Sequence, residues 1–118
     1  MELHKISFAT ISVLRNDLAE IMVDEGVDMD LAMVDEIHLS LLSIFTGSFS
    51  LLVNKTNSYS SQLDALIQFG ALATIDKIAI FAPNKMARLS ADFTASIPSS
   101  AKLNIQVFTC RDEALAWL

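Results

Sequence analysis

Ser50-Leu51-Leu52-Val53-Asn54, followed by Lys55-Thr56-Asn57-Ser58-Tyr59-Ser60-Ser61, is the stretch from which the fold is read. Three consecutive large apolar residues between polar ones predict a short strand buried on both faces. Such a strand belongs in the middle of a parallel sheet covered by helices. In open sheets of that kind, binding and chemistry gather beyond the carboxyl ends of the central strands. The polar loop after Asn54 is therefore the first place to look for a functional site.

Toward the N-terminus, Gly47 stands where a helix C-terminal glycine belongs. Before it, Met33, Val34, Ile37, Leu41, Ile44 and Phe45 recur at helical spacing, and Asp28 or Asp30 can cap that helix. Leu18 to Val23 reads as a strand. Lys5 to Leu14 reads as another, with Ile6 and Phe8 alternating against polar neighbours and a change of face near Thr10. Arg15-Asn16-Asp17 is a tight turn between them, which predicts an antiparallel hairpin closed by Gly26.

Toward the C-terminus, Ser60 or Ser61 can cap a helix whose sheet-facing stripe is Leu63, Leu66, Ile67, Gly70, Ala71 and Thr74. Phe69 and Leu72 fall off that stripe and are candidate interface residues. Lys77 to Ala82 holds a second buried strand, Ile78-Ala79-Ile80-Phe81. Pro83-Asn84 ends it, and Asn84 caps a helix carrying Met86, Leu89 and Phe93 that Pro98-Ser99-Ser100 breaks. Leu103, Ile105 and Val107 alternate with Asn104 and Gln106, as in a half-exposed edge strand. Asp112 then caps a short terminal helix with Ala114, Leu115, Trp117 and Leu118 available to dock. The predicted order is β-β-α-β-α-β-α-β-α. That is an α/β chain, a single mixed sheet of about five strands covered by about four helices, in one domain over 1–118.

The composition fits. A chain of 118 residues with 53% hydrophobic and 19% charged residues can build a core without disulfides or metals. The single Cys110 cannot pair internally, which fits a reducing, cytoplasmic setting. No apolar run reaches the ~20 residues of a membrane span, and the N-terminus lacks the layout of a signal peptide. Net charge is −6, and Asp17, Glu20, Asp24, Glu25, Asp28, Asp30, Asp35 and Glu36 follow one another with no Lys or Arg between them. Such a face repels phosphate backbones and anionic lipid, which argues against nucleic-acid binding.

The element order resembles the STAS fold of anti-anti-sigma factors and of sulphate-transporter tails. More closely, it is similar to small, largely uncharacterised bacterial STAS-like proteins often grouped with CRAL-TRIO lipid-transfer domains. Leu51-Leu52-Val53-Asn54 carries the likeness, with Asn54 where relatives usually have Asp. So do Lys77-Ile78-Ala79-Ile80-Phe81 with its following helix, and Phe108-Thr109-Cys110-Arg111-Asp112-Glu113-Ala114-Leu115-Ala116-Trp117-Leu118. Anti-anti-sigma factors carry Asp-Ser-x-Gly after the central strand, with a serine that a partner kinase phosphorylates. Here the acidic residue and the glycine are absent.

Asn57, Ser58, Tyr59, Ser60 and Ser61 are the candidate partner or phosphorylation loop. A phosphate at a helix N-terminus would be stabilised there, whereas the simpler reading is a cap with solvated neighbours. Asn84, Lys85 and Arg88 open a helix and are candidates for holding an anion, against an ordinary cap with solvated basic side chains. His38 beside the apolar stripe reads as a structural histidine, and Cys110 as a small strand-end residue. Asp24-Glu25-Gly26-Val27-Asp28-Met29-Asp30 has its glycine too early for a calcium loop. No catalytic set, metal site or cofactor is expected. The leading expectation is a non-enzymatic regulatory domain that binds a protein partner, with a homodimer as one form of association. The alternative is a small-molecule or lipid-binding module with an apolar cavity between helices and sheet.

Overall fold

Six strands form one mixed sheet in the computed structural model, which describes residues 2–96 and 104–118. The elements are β1 (Glu2–Ile6), β2 (Ala9–Arg15), β3 (Leu18–Val23), β4 (Asp28–Met29), α1 (Leu31–Ile44), β5 (Phe49–Asn54), β6 (Ser60–Ser61), α2 (Leu63–Phe69), β7 (Ile75–Phe81), α3 (Lys85–Ala95), β8 (Asn104–Phe108) and α4 (Arg111–Trp117). The sheet runs β1-β2-β3-β5-β7-β8, and β4 with β6 forms a separate two-stranded parallel pair. β1, β2 and β3 are antiparallel neighbours, whereas β3, β5, β7 and β8 are parallel. The class matches expectation, and β5 is the central, doubly covered strand.

The strand count differs for a local reason. Lys5 to Leu14 is not one strand but a hairpin turning at Ser7-Phe8, with Ile6 opposite Ala9. That turn holds no Gly, Pro or Asn, and Phe8 is buried, so apolar alternation runs through it without punctuation.

Alternation along β5 assigns the two faces. Phe49, Leu51 and Val53 join Ile21, Val23, Ile78 and Ile80 in the main core under α1, α2 and α3. Leu52 points the other way and packs with Ala79 and Ala114 beneath α4. Leu51 and Leu52 are fully buried, each contributing roughly 2–3 kcal/mol by area removed from water.

Asp30 caps α1, accepting from the Met33 N–H at 2.9 Å, and Val34, Ile37, His38 and Leu41 form the buried stripe. The helix ends at Phe45 in extended geometry, so Gly47 is not its left-handed cap. Gly26 is the glycine at positive φ, 79°, where the chain leaves β3.

α2 is shorter than its apolar pattern. It starts after Gln62, without a side-chain cap from Ser60 or Ser61, and stops at Phe69 with Gly70 at its C-cap. α4 follows Cys110, with Asp112 and Glu113 in its first turn rather than Asp112 at the cap. The expected break at Pro98-Ser99-Ser100 and the strand start at Leu103 lie outside the described residues. Among the described residues no helix is long and apolar enough to cross a membrane.

Candidate functional site

The loop leaving β5 is tied down along its length. Asn54 faces α4, donating from Nδ2 to Glu20 and accepting from the Thr56 N–H and hydroxyl. Asn57 Nδ2 donates to the Val23 carbonyl at 3.0 Å, anchoring the loop to the end of β3. Backbone bonds from Gly26 N–H to Ser58 O, Ser60 N–H to Val27 O, and Gln62 N–H to Met29 O zip the loop to residues 26–29. These bonds hold the predicted serine loop in place. They also set it against acids: the Ser58 N–H donates to Glu25, and Ser60 Oγ donates to Asp28 at 2.9 Å. A phosphate on Ser60 would meet the Asp28 carboxylate, and α2 offers no capping geometry to compensate.

Period-2 alternation continues one residue past β5. The Lys55 N–H extends the ladder by donating to the Phe81 carbonyl at 2.9 Å, so Lys55 turns to the same face as Leu51 and Val53. There it meets an apolar cavity of about 80 Å³. Ile21, Val53, Ile78 and Ile80 form the floor, and Ile37, Ala65, Phe69 and Gly70 form the roof. Beyond it, an open cleft of about 380 Å³ lies between the 57–60 loop and the start of α3, at Asn84, Met86 and Ala87. Lys55, Tyr59 and Ser90 line both, so they stand where the inner cavity meets the open cleft.

Lys55 is only 9% exposed, and among the described residues it forms no ion pair. Its Nζ lies 3.9 Å from the centroid of the Tyr59 ring. Burial alone lowers its pKa to about 8. Burial likewise pushes the Tyr59 phenol well above its ordinary value, keeping it neutral. The site thus combines a short apolar pocket, a desolvated amine and an aromatic ring. Among the described residues no group of three or more His, Cys, Asp or Glu side chains is arranged to hold a metal ion.

The other candidates fall elsewhere. Asn84 Oδ1 caps α3 by accepting from the Ala87 N–H at 2.9 Å, while Lys85 and Arg88 project into solvent. Phe69 and Leu72 are not an exposed pair. Both are half-buried against the main core, and Phe69 roofs the cavity, because α2 is rotated so that Leu63 and Ile67 face outward instead. His38 is buried beneath Phe69, with Nε2 bonded to the Phe69 carbonyl at 3.2 Å, and burial lowers its pKa. Lys55 went unread in the sequence as a site residue, although strand alternation from Val53 pointed to it.

Among solved structures, the chain is similar to an uncharacterised protein of the DUF3478 family, with a SpoIIAA-like fold, from Shewanella loihica PV-4. The two share 13% identity over 99% of this chain and 90% of that one, with a TM-score of 0.59. The fold is SpoIIAA-like. It is therefore STAS-like, as the resemblance implied, and a likeness at that identity speaks to architecture alone. No family model matches the chain, and no curated protein does.

Proposed function

We propose that this SpoIIAA-like chain is a non-enzymatic binding domain for a small amphipathic molecule. The ligand's apolar body fills the cavity and its electron-rich oxygen, a carboxylate or a carbonyl, meets Lys55. The observation that carries this reading is the burial of Lys55 at the cavity mouth with no counter-charge among the described residues. A desolvated ammonium is costly unless paired, and a ligand oxygen supplies the missing partner. The volume selects among ligands. About 80 Å³ is small, room for a short alkyl tail rather than a long acyl chain.

Titration of isotopically labelled protein with pentanoate, followed by amide NMR, tests this. Shifts at Val53, Ala65 and Phe69 are expected, absent with pentylammonium, and weakened about tenfold or more by Lys55→Gln. Equal responses to the anion and the cation, or none to either, would overturn the reading.

A second reading, binding of a protein partner, is favoured by α3. This helix turns Ala87 and Ala91 toward the sheet and leaves Met86, Leu89 and Phe93 outward, 74%, 58% and 58% exposed, at i, i+3 and i+7 spacing. Met86 also lines the cleft, so a partner on this face would abut the ligand site. Sedimentation equilibrium tests the homodimer form. A two-chain mass reduced to one by Phe93→Lys supports it, and a single-chain mass for both proteins excludes it.

A further inference from the structure

We propose that Lys55 Nζ captures short aliphatic aldehydes as a reversible imine, with the alkyl tail in the cavity and the carbonyl carbon at its mouth. This rests on the ligand-binding reading and deepens it, replacing a held oxygen by a covalent bond. Three structural features converge on this amine. It stands at the junction of an inner apolar cavity and a wider cleft, so a tail can enter while water and protons exchange through the cleft. Among the described residues no carboxylate pairs with it, so nothing of opposite charge holds it protonated. The face of the Tyr59 ring, 3.9 Å away, limits where Nζ can move.

The chemistry balances without a further reagent. A proton leaves Nζ through the cleft, and the freed lone pair attacks the carbonyl carbon. The carbonyl oxygen takes a proton, giving a carbinolamine. Loss of that oxygen as water forms the C=N bond, and water entering by the same route reverses the reaction. An amine desolvated in an apolar site is the form of lysine suited to this nucleophilic role. The pKa of about 8 leaves a substantial neutral fraction near neutral pH. An ordinary lysine at about 10.5 has on the order of a hundredfold less. The other described lysines, Lys5, Lys77 and Lys85, are exposed or half-buried.

The experiment is reductive trapping of the intact protein with pentanal and cyanoborohydride at pH 7, read by intact mass and by peptide mapping. One pentyl group per chain is expected, on Lys55, about tenfold or more ahead of every other lysine. Trapping should rise with pH through about 8, fall away in Lys55→Arg, and fall in Ala65→Phe, which fills the cavity and keeps the amine. Pentanoate should protect Lys55 by competition. Even labelling of all lysines, or labelling of Lys55 that is indifferent to tail length and to Ala65→Phe, would overturn the inference. Absence of an adduct while pentanoate still shifts the cavity amides would overturn the covalent step and leave the binding reading standing. Absence of both would remove the two together.

Discussion

Asn54 Nδ2 donates to Glu20 Oε2 at 2.9 Å across the two central parallel strands, while the amide's own oxygen accepts from Thr56. Arg111, at the start of α4, holds the same Glu20 through Nε at 3.2 Å and Nη2 at 2.5 Å. The carboxylate is thus satisfied on both sides, and one network joins β3, β5 and α4. Asn54 supplies this network with the amide donor that Glu20 accepts. An ionised Asp has no proton to donate to Glu20.

Asn54→Asp would place two carboxylates within hydrogen-bond distance, so that one must take up a proton or repel the other. The variant is expected to lose about 1–3 kcal/mol at pH 7. The deficit should shrink toward pH 5 as the pair comes to share a proton. Urea midpoints at the two pH values check this, and a deficit independent of pH would contradict it.

Glu20 itself should set part of the acid limb of stability. Burial alone would raise its pKa, but the hydrogen bonds from Arg111 and Asn54 and the guanidinium charge outweigh burial and hold it below 4.5. The stabilisation is therefore fully present above that value and lost as pH falls through the lowered folded value. Glu20→Gln is expected to cost about 1–2 kcal/mol at pH 7, discounted because the Arg111 side chain is 40% exposed. The variant and the wild type should converge below pH 4. Parallel curves down to pH 3 would show that the pair is not coupled to folding.

Lys55 works in the opposite sense. Its folded pKa of about 8 lies below the ordinary 10.5, so between those values the unfolded chain holds a proton that the folded chain has released. Stability should rise with pH across that window. Below it the buried ammonium costs about 3 kcal/mol at most, and contact with the Tyr59 ring recovers about 1 kcal/mol. Lys55→Met is expected to be about 2 kcal/mol more stable at pH 7, with the advantage gone by pH 10.5. A stability loss at pH 7 would mean that the amine has a strong partner.

Trp117 docks α4. Its ring lies 5.7 Å from that of Phe108, centroid to centroid, and Lys77 Nζ donates to its carbonyl at 3.3 Å. A cation at the last turn of a helix is placed to favour the dipole. Because the indole is only partly buried, Trp117→Ala should cost about 2–3 kcal/mol, somewhat less than full burial would imply. Urea denaturation followed by circular dichroism checks this, and an unchanged midpoint would show that the helix contributes nothing.

What the sequence by itself determined were the features encoded within a few residues. The apolar run Leu51-Leu52-Val53 specified a doubly buried strand, Asn84 specified a helix start, Asp28 or Asp30 another that the structure gives to Asp30, and the 33–45 spacing specified a buried helix face. Steric and hydrogen-bond rules act locally there, so neighbours in the chain suffice. Local rules misjudged Ser7-Phe8, whose turn carries no Gly, Pro or Asn, and Phe69, where a small rotation of α2 exchanges core for surface. Tertiary structure alone decided that Glu20 meets Arg111, 91 residues away, and that Lys55 closes a cavity built by β3, β5, β7, α1 and α2. Such pairings depend on strand order, register and helix rotation. These are set by the packing of the whole core, and no short stretch of chain carries them.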